Sequence, residues 1–204
     1  MAITTYLTLK QAIGNWLGRE DLTNRIPEFI ALAEDRIARN LRVQAMETTA
    51  TLTISSSSAS VPSGYLETIR LYLTSDTRRK LDYMSPAVFQ TRNAQFDSGD
   101  PQIFTIEGTA FKFAPTGDGT AELLYYKRFD ALSSNADANW ILTNARGLLL
   151  YGSLLEAYLF LEDDAGVAQY ATLFDNLMND VNEDDRKARF PRGALPMRGE
   201  VAVY

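Results

Sequence analysis

Residues 148 to 161 read LLLYGSLLEAYLFL, fourteen residues with a single charge, Glu156, and two small interruptions, Gly152 and Ser153. A membrane span needs about 20 consecutive apolar residues to cross the hydrocarbon core, so this run is too short to be one. An ordinary surface helix carries its apolar residues in one stripe. At about 3.6 residues per turn, however, Leu148, Leu149, Leu150, Tyr151, Leu154, Leu155, Tyr158, Leu159, Phe160 and Leu161 occupy nearly the whole circumference. Any fold for the chain must cover this helix from more than one side.

The flanking sequence supplies helices to do so. In TLKQAIGNWLG, Leu9, Ile13, Trp16 and Leu17 share one face and Thr8 is placed to cap, which predicts a helix over residues 8–18. DLTNRIPEFIALAEDRIARNLR predicts a second over 27–42. Pro27 sits in its first turn, where a missing N–H costs nothing. Ile30, Ala33, Ile37 and Leu41 follow at helical spacing, opposite a charged face of Glu28, Asp35, Arg36, Arg39 and Arg42. The apolar run itself predicts a helix over 144–161, capped by Asn144. A last helix over 165–189, capped by Asp163 or Asp164, carries Val167, Tyr170, Phe174, Leu177 and Val181 as a one-sided seam for a neighbouring helix. Arg186, Lys187 and Arg189 complement its negative C-terminal end.

Between these helices the period falls to two. In TTATLTIS, Ala50, Leu52 and Ile54 alternate with threonines, SSSSAS interrupts, and ETIRLYLTS alternates again. RRKLDYMS predicts a further short strand, hairpinned across SDTRR, and PAVFQTRNAQF a brief helix capped by Ser85. QIFTIEG and TAFKFAP predict a hairpin, and TGDGT leads to a last strand, AELLYYKRF. The expected fold class is therefore mainly α with a β-rich insertion (α+β): a helical bundle with a small antiparallel β unit over about 48–130, in one domain spanning 1–190. Residues 191–204 form no regular element by pattern and are read as an extended, apolar C-terminal tail, suited to ordering by a partner.

Composition narrows the chemistry. The 204 residues contain no cysteine and no histidine, which removes disulfides, thiol catalysis, the commonest transition-metal ligand and every Ser-His or Cys-His pair. The acidic triplets Glu162–Asp164 and Glu183–Asp185 point in different directions on a helix and do not converge on one substrate. The DSGD turn lacks the spaced ligands of a calcium loop, and TGDGT lacks the lysine and helix of a phosphate loop. Tyr125 and Tyr126 beside Lys127 and Arg128 could stack a base, but alternation puts them on opposite faces, which favours an ordinary packed sheet. No enzyme, catalytic residue, cofactor or metal site is expected. A net charge of −6 argues against a general nucleic-acid binder, though not against a surface that DNA slides past without sticking. MAITTYLTLKQ has no signal-peptide pattern, so a cytosolic chain is expected.

Three stretches carry a family resemblance: IPEFIALAEDRIARNLR at 26–42, VPSGYLETIRLYL at 61–73, and LLLYGSLLEAYLFLEDD followed by NEDDRKARF. With them the chain resembles the head-to-tail adaptor (connector) proteins of tailed bacteriophages, of the short-tailed type. One departure is Arg146-Gly147, where a proline would open the long helix more firmly. The resemblance implies a structural virion protein in the neck, assembled with copies of itself as a dodecameric ring beneath the portal protein. That ring would join head to tail or nozzle proteins and extend the channel for double-stranded DNA, which passes without sequence-specific binding and without a membrane. The apolar helix would then be covered by its own bundle and by adjoining subunits, with Leu150, Leu154, Leu155, Tyr158 and Phe160 as interface candidates. The tail would dock on the portal through Arg192, Arg198, Val201, Val203 and Tyr204. Glu34, Asp35 or the acidic group after Leu161 are candidates to line the lumen. Another neck component, a stopper or tail-completion ring, is the alternative, with a carboxylate-dependent cell-wall hydrolase behind it.

Overall fold

Thr5 opens the first helix through a reciprocal pair of bonds: its hydroxyl accepts the Thr8 N–H, and the Thr8 hydroxyl accepts the Thr5 N–H. Thr8, expected as the cap, is instead the third helical residue of this capping box. In the computed structural model, which describes residues 2–74 and 78–189, the chain then runs through α1 (Tyr6–Leu17), α2 (Ile26–Asn40), β1 (Glu47–Ile54), β2 (Ser58–Ser60), β3 (Tyr65–Leu73), β4 (Arg79–Lys80) and β5 (Asp82–Tyr83). It continues with α3 (Pro86–Asn93), β6 (Ile103–Glu107), β7 (Ala110–Ala114), β8 (Gly119–Lys127), α4 (Trp140–Asn144), α5 (Arg146–Phe160) and α6 (Asp164–Arg189). The class is mixed α+β, with largely antiparallel sheets between N- and C-terminal helices. Two compact units result, one from residues up to Val43 and from Leu132 onward, the other from Gln44–Ala131.

The helical unit is built round α5, which packs against α1, α2, α4 and α6. Leu148, Leu149, Leu154 and Ala157 are fully buried, and Leu150 and Leu155 nearly so. Cover on several sides thus comes from the unit's own helices. Gly152 allows a close approach on two sides: a Cβ there would lie 3.0 Å from the Ala33 Cβ on α2 and 3.1 Å from the Phe174 ring on α6. Gly152→Val is therefore expected to cost about 1–3 kcal/mol through overpacking, read as a lower urea midpoint with an unchanged slope.

Three local differences from the sequence expectation have simple causes. Asn139, whose Oδ1 accepts the Leu142 N–H, caps a separate short α4, and the chain turns at Ala145 before α5 begins at Arg146. Asn144 is therefore the end of α4 and not the cap of α5. On α6 the buried line is Tyr170, Phe174 and Met178, with Val167, Leu177 and Val181 half-buried at its margins. Trp16, expected inside, keeps half its surface while its ring lies 6.1 Å from that of Tyr151. The expected α6 cap is present, since the Asp163 carboxylate accepts the N–H groups of Ala165 and Gly166.

Polar bonds fasten the returning chain. The buried Glu34 carboxylate accepts the Leu132 N–H at 3.1 Å. Carbonyls of Asp137 and Asn135 accept the N–H groups of Tyr6 and Leu7, two donors that a helix start leaves without intrahelical partners. The Asp137 carboxylate accepts from both Ser134 and Ser133, which holds its pKa below the usual aspartate value.

The β unit holds two four-stranded sheets, ordered β1-β8-β3-β4 and β2-β7-β6-β5. Leu52, Ile54, Leu71, Leu73, Phe104, Phe111, Phe113, Leu123 and Tyr125 belong to one buried cluster. The expected β6–β7 hairpin is present, pairing Ile103 with Ala114 through Glu107 with Ala110. SSSSAS proves to be a corner rather than an interruption: Ser56 and Ser57 have φ of 50° and 58°, and Ser55 and Ser58 exchange backbone bonds as β1 passes into β2. RRKLDYMS divides between the sheets. Arg79–Lys80 pairs antiparallel with β3, Asp82–Tyr83 pairs parallel with β6, and buried Leu81 lies between them. Part of the SDTRR turn falls outside the described residues.

Candidate assembly surface

The five interface residues expected on α5 divide sharply. Leu150, Leu154 and Leu155 are 6%, 0% and 4% exposed and face the subunit's own bundle, so they offer no surface to another chain. Tyr158 is half-buried and stacked on Tyr170, with ring centroids 5.1 Å apart. Phe160 remains open at 50% exposure, next to Leu159 at 46%. The reason is positional, because the last turn of α5 runs past the cover that its neighbours supply to the middle.

A surface forms around that turn. The Phe160 ring lies 5.8 Å from the buried Phe29 ring of α2, and the Arg25 guanidinium sits 5.0 Å from the Phe160 centroid. Such a cation over a ring face is worth about 0.5–1 kcal/mol at an exposed site. Leu32, 49% exposed, stands three residues after Phe29 and four before Arg36, hence on the same side of α2. Arg36 closes the strip by donating from Nε and Nη2 to the Glu156 Oε1 of α5, at 2.8 and 2.6 Å. An apolar strip of Leu32, Leu159 and Phe160 is thus bracketed by Arg25 at one end and the Arg36–Glu156 pair at the other. Sequence reasoning missed Leu32 and Arg25. The available signal was a leucine on the otherwise charged face of α2.

The other expected residues fall as follows. Glu34, a lumen candidate, is turned inward and bound to Leu132, because its carboxylate accepts a backbone N–H inside the unit. Asp35 and Glu162–Asp164 are at the surface. Tyr125 is buried and stacked on Tyr65, as an ordinary packed sheet requires, which removes it as a base-stacking platform. The Glu183–Asp185 triplet is paired along α6 with Arg186, Lys187 and Arg189. Arg192, Arg198, Val201, Val203 and Tyr204 lie outside the described residues. Among the described residues, no helix is long and apolar enough to cross a membrane.

Polar groups are used here to fasten helices, while Leu32, Leu159 and Phe160 are left at the surface. The chain belongs to the SU10 adaptor protein family, whose family model matches residues 4–198. It is thus a structural protein of the phage head-to-tail adaptor kind, placed in the virion neck with portal and tail proteins as neighbours. A search of curated proteins finds no match.

Proposed function

We propose that copies of this subunit form a ring, dodecameric by the family resemblance, beneath the portal, and that the ring extends the channel through which DNA passes. The family match over residues 4–198 is the observation that carries the reading. The apolar strip of Leu32, Leu159 and Phe160 supports it, because the bundle is already closed round α5 and still exposes these side chains. In this reading Phe160 and Leu159, with Tyr158 at the edge, meet the adjoining subunit, and Leu150, Leu154 and Leu155 hold the helix that presents them. A net charge of −6 suits the lumen. Carboxylates repel the phosphate backbone and forgo the counterion-release affinity that would arrest the duplex. The subunit is made in the host bacterial cytoplasm and ends in the neck.

In the same reading the stretch 191–204 docks on the portal, with Arg192 and Arg198 pairing with acidic groups there and Val201, Val203 and Tyr204 as further contacts. Removing 191–204 should leave the far-UV spectrum and urea midpoint of the subunit unchanged and weaken docking on the portal ring by about 30-fold or more, the loss of one hot-spot cluster of at least 2 kcal/mol. Co-sedimentation equal to that of the full chain would refute this role.

A further inference from the structure

A closed ring of many identical subunits cannot join like to like. Each contact in it is head-to-tail, so every subunit must offer two different surfaces, one to each neighbour. The strip of Leu32, Leu159 and Phe160 is one such surface, and its complement has to lie elsewhere on the subunit.

The helical unit carries a groove of about 730 Å³ between α1 and the start of α2. Leu7, Lys10 and Gly14 line it from α1, and Ile26 and Pro27 from α2. Leu7 and Pro27 are exposed. Ile26 is almost fully buried and closes the bottom beside Gly14, where a Cβ would lie 3.5 Å from the Ile26 Cδ1. The geometry of α2 keeps groove and strip apart. Its buried face is made by Ile26, Ile30, Ala33 and Ile37, and Phe29, Leu32 and Arg36 run along one margin of that face. Pro27 stands at the other margin, roughly 200° round the helix from Phe29.

Charges at the two surfaces are complementary. Glu162 is exposed, two residues beyond Phe160, and its carboxylate has no partner among the described residues. In the groove, Lys10 bonds at 2.7 Å to the neutral Oδ1 of Asn135 and lies over the Tyr6 ring, with no carboxylate paired to it among the described residues. The groove also carries Glu20, opposite in sign to the Arg25 beside Phe160.

We infer, resting on the ring proposed above, that this groove receives the Leu159–Phe160 turn of the adjoining copy and that Glu162 of that copy meets Lys10. Each contact then joins an apolar ridge to an apolar-floored groove and closes one ion pair. Glu162 belongs to the subunit contact in this arrangement and not to the lumen wall.

The chain has no cysteine, so introduced thiols report single contacts. Leu159→Cys keeps the strip apolar, and Gln11→Cys puts a thiol on the groove wall. With both in one chain, assembled on the portal ring and treated with a short bismaleimide, subunits should join into a ladder of linked copies on a denaturing gel. Neither single variant should link. Lys10→Glu should weaken assembly about five-fold, the loss of one exposed ion pair, and Glu162→Lys in the same chain should restore it. Rings that sediment normally but give no ladder would overturn the groove contact and leave the ring reading standing. Dimers from Leu159→Cys alone would overturn it as well, because the strip would then meet its own copy. A double charge variant no better than Lys10→Glu would overturn the Glu162–Lys10 pairing. If the natural chain forms no ring on the portal, the ring reading itself fails and this contact with it.

Discussion

Leu155→Asp is expected to unfold the helical unit. The side chain is 4% exposed on the central helix, with cover from four neighbouring helices. Losing a buried leucine costs about 2–5 kcal/mol. The new carboxylate must also leave water or drag water in, at a further cost of several kcal/mol. Against a typical total stability of about 5–15 kcal/mol, the sum removes most or all of the folded population. Leu159→Asp, one turn later and 46% exposed, makes the same chemical change at the surface and should move stability by about 0.5 kcal/mol or less. A urea titration of the two variants beside the natural chain checks both. A Leu155→Asp protein with the natural midpoint would contradict the description of α5 as the covered centre of its own bundle.

Phe160→Asp should separate folding from assembly. Half of the ring is already in water, and it meets the tilted Phe29 ring and the Arg25 guanidinium. Stability should fall by about 1 kcal/mol, the typical effect of a point change. Assembly should suffer far more, because a buried aromatic near the centre of an interface is worth about 2 kcal/mol or more. The introduced carboxylate would also be desolvated in each subunit contact of a ring. Ring formation is expected to weaken by at least about 30-fold, with the circular dichroism spectrum unchanged. Rings formed at the natural concentration would remove the Leu32, Leu159 and Phe160 strip from the interface.

How far these features could be read in advance depended on whether they were local. The helices at 27–42 and 165–189 and the β6–β7 hairpin follow from periodicity and turn chemistry, which act between near neighbours. The demand of LLLYGSLLEAYLFL for cover was legible too, but not its source. Apolarity says that a face is buried and does not say whether the subunit or a neighbour buries it, so Leu150, Leu154 and Leu155 looked like interface residues and are core. Glu34 illustrates the same limit for a charge. Its position one residue before exposed Asp35 resembles any solvated face, and only the return of Leu132, ninety-eight residues later, gives it a buried donor. The division of RRKLDYMS between two sheets was hidden because two-residue strands have no period.

Sedimentation velocity of the subunit alone and mixed with the portal ring from the same genome tests the central claim most directly. The adaptor reading predicts co-sedimentation at a fixed subunit ratio, from a monomeric start or from a preformed ring, with the ratio giving the copy number. A subunit that stays monomeric in both samples and leaves the portal boundary unshifted would contradict it.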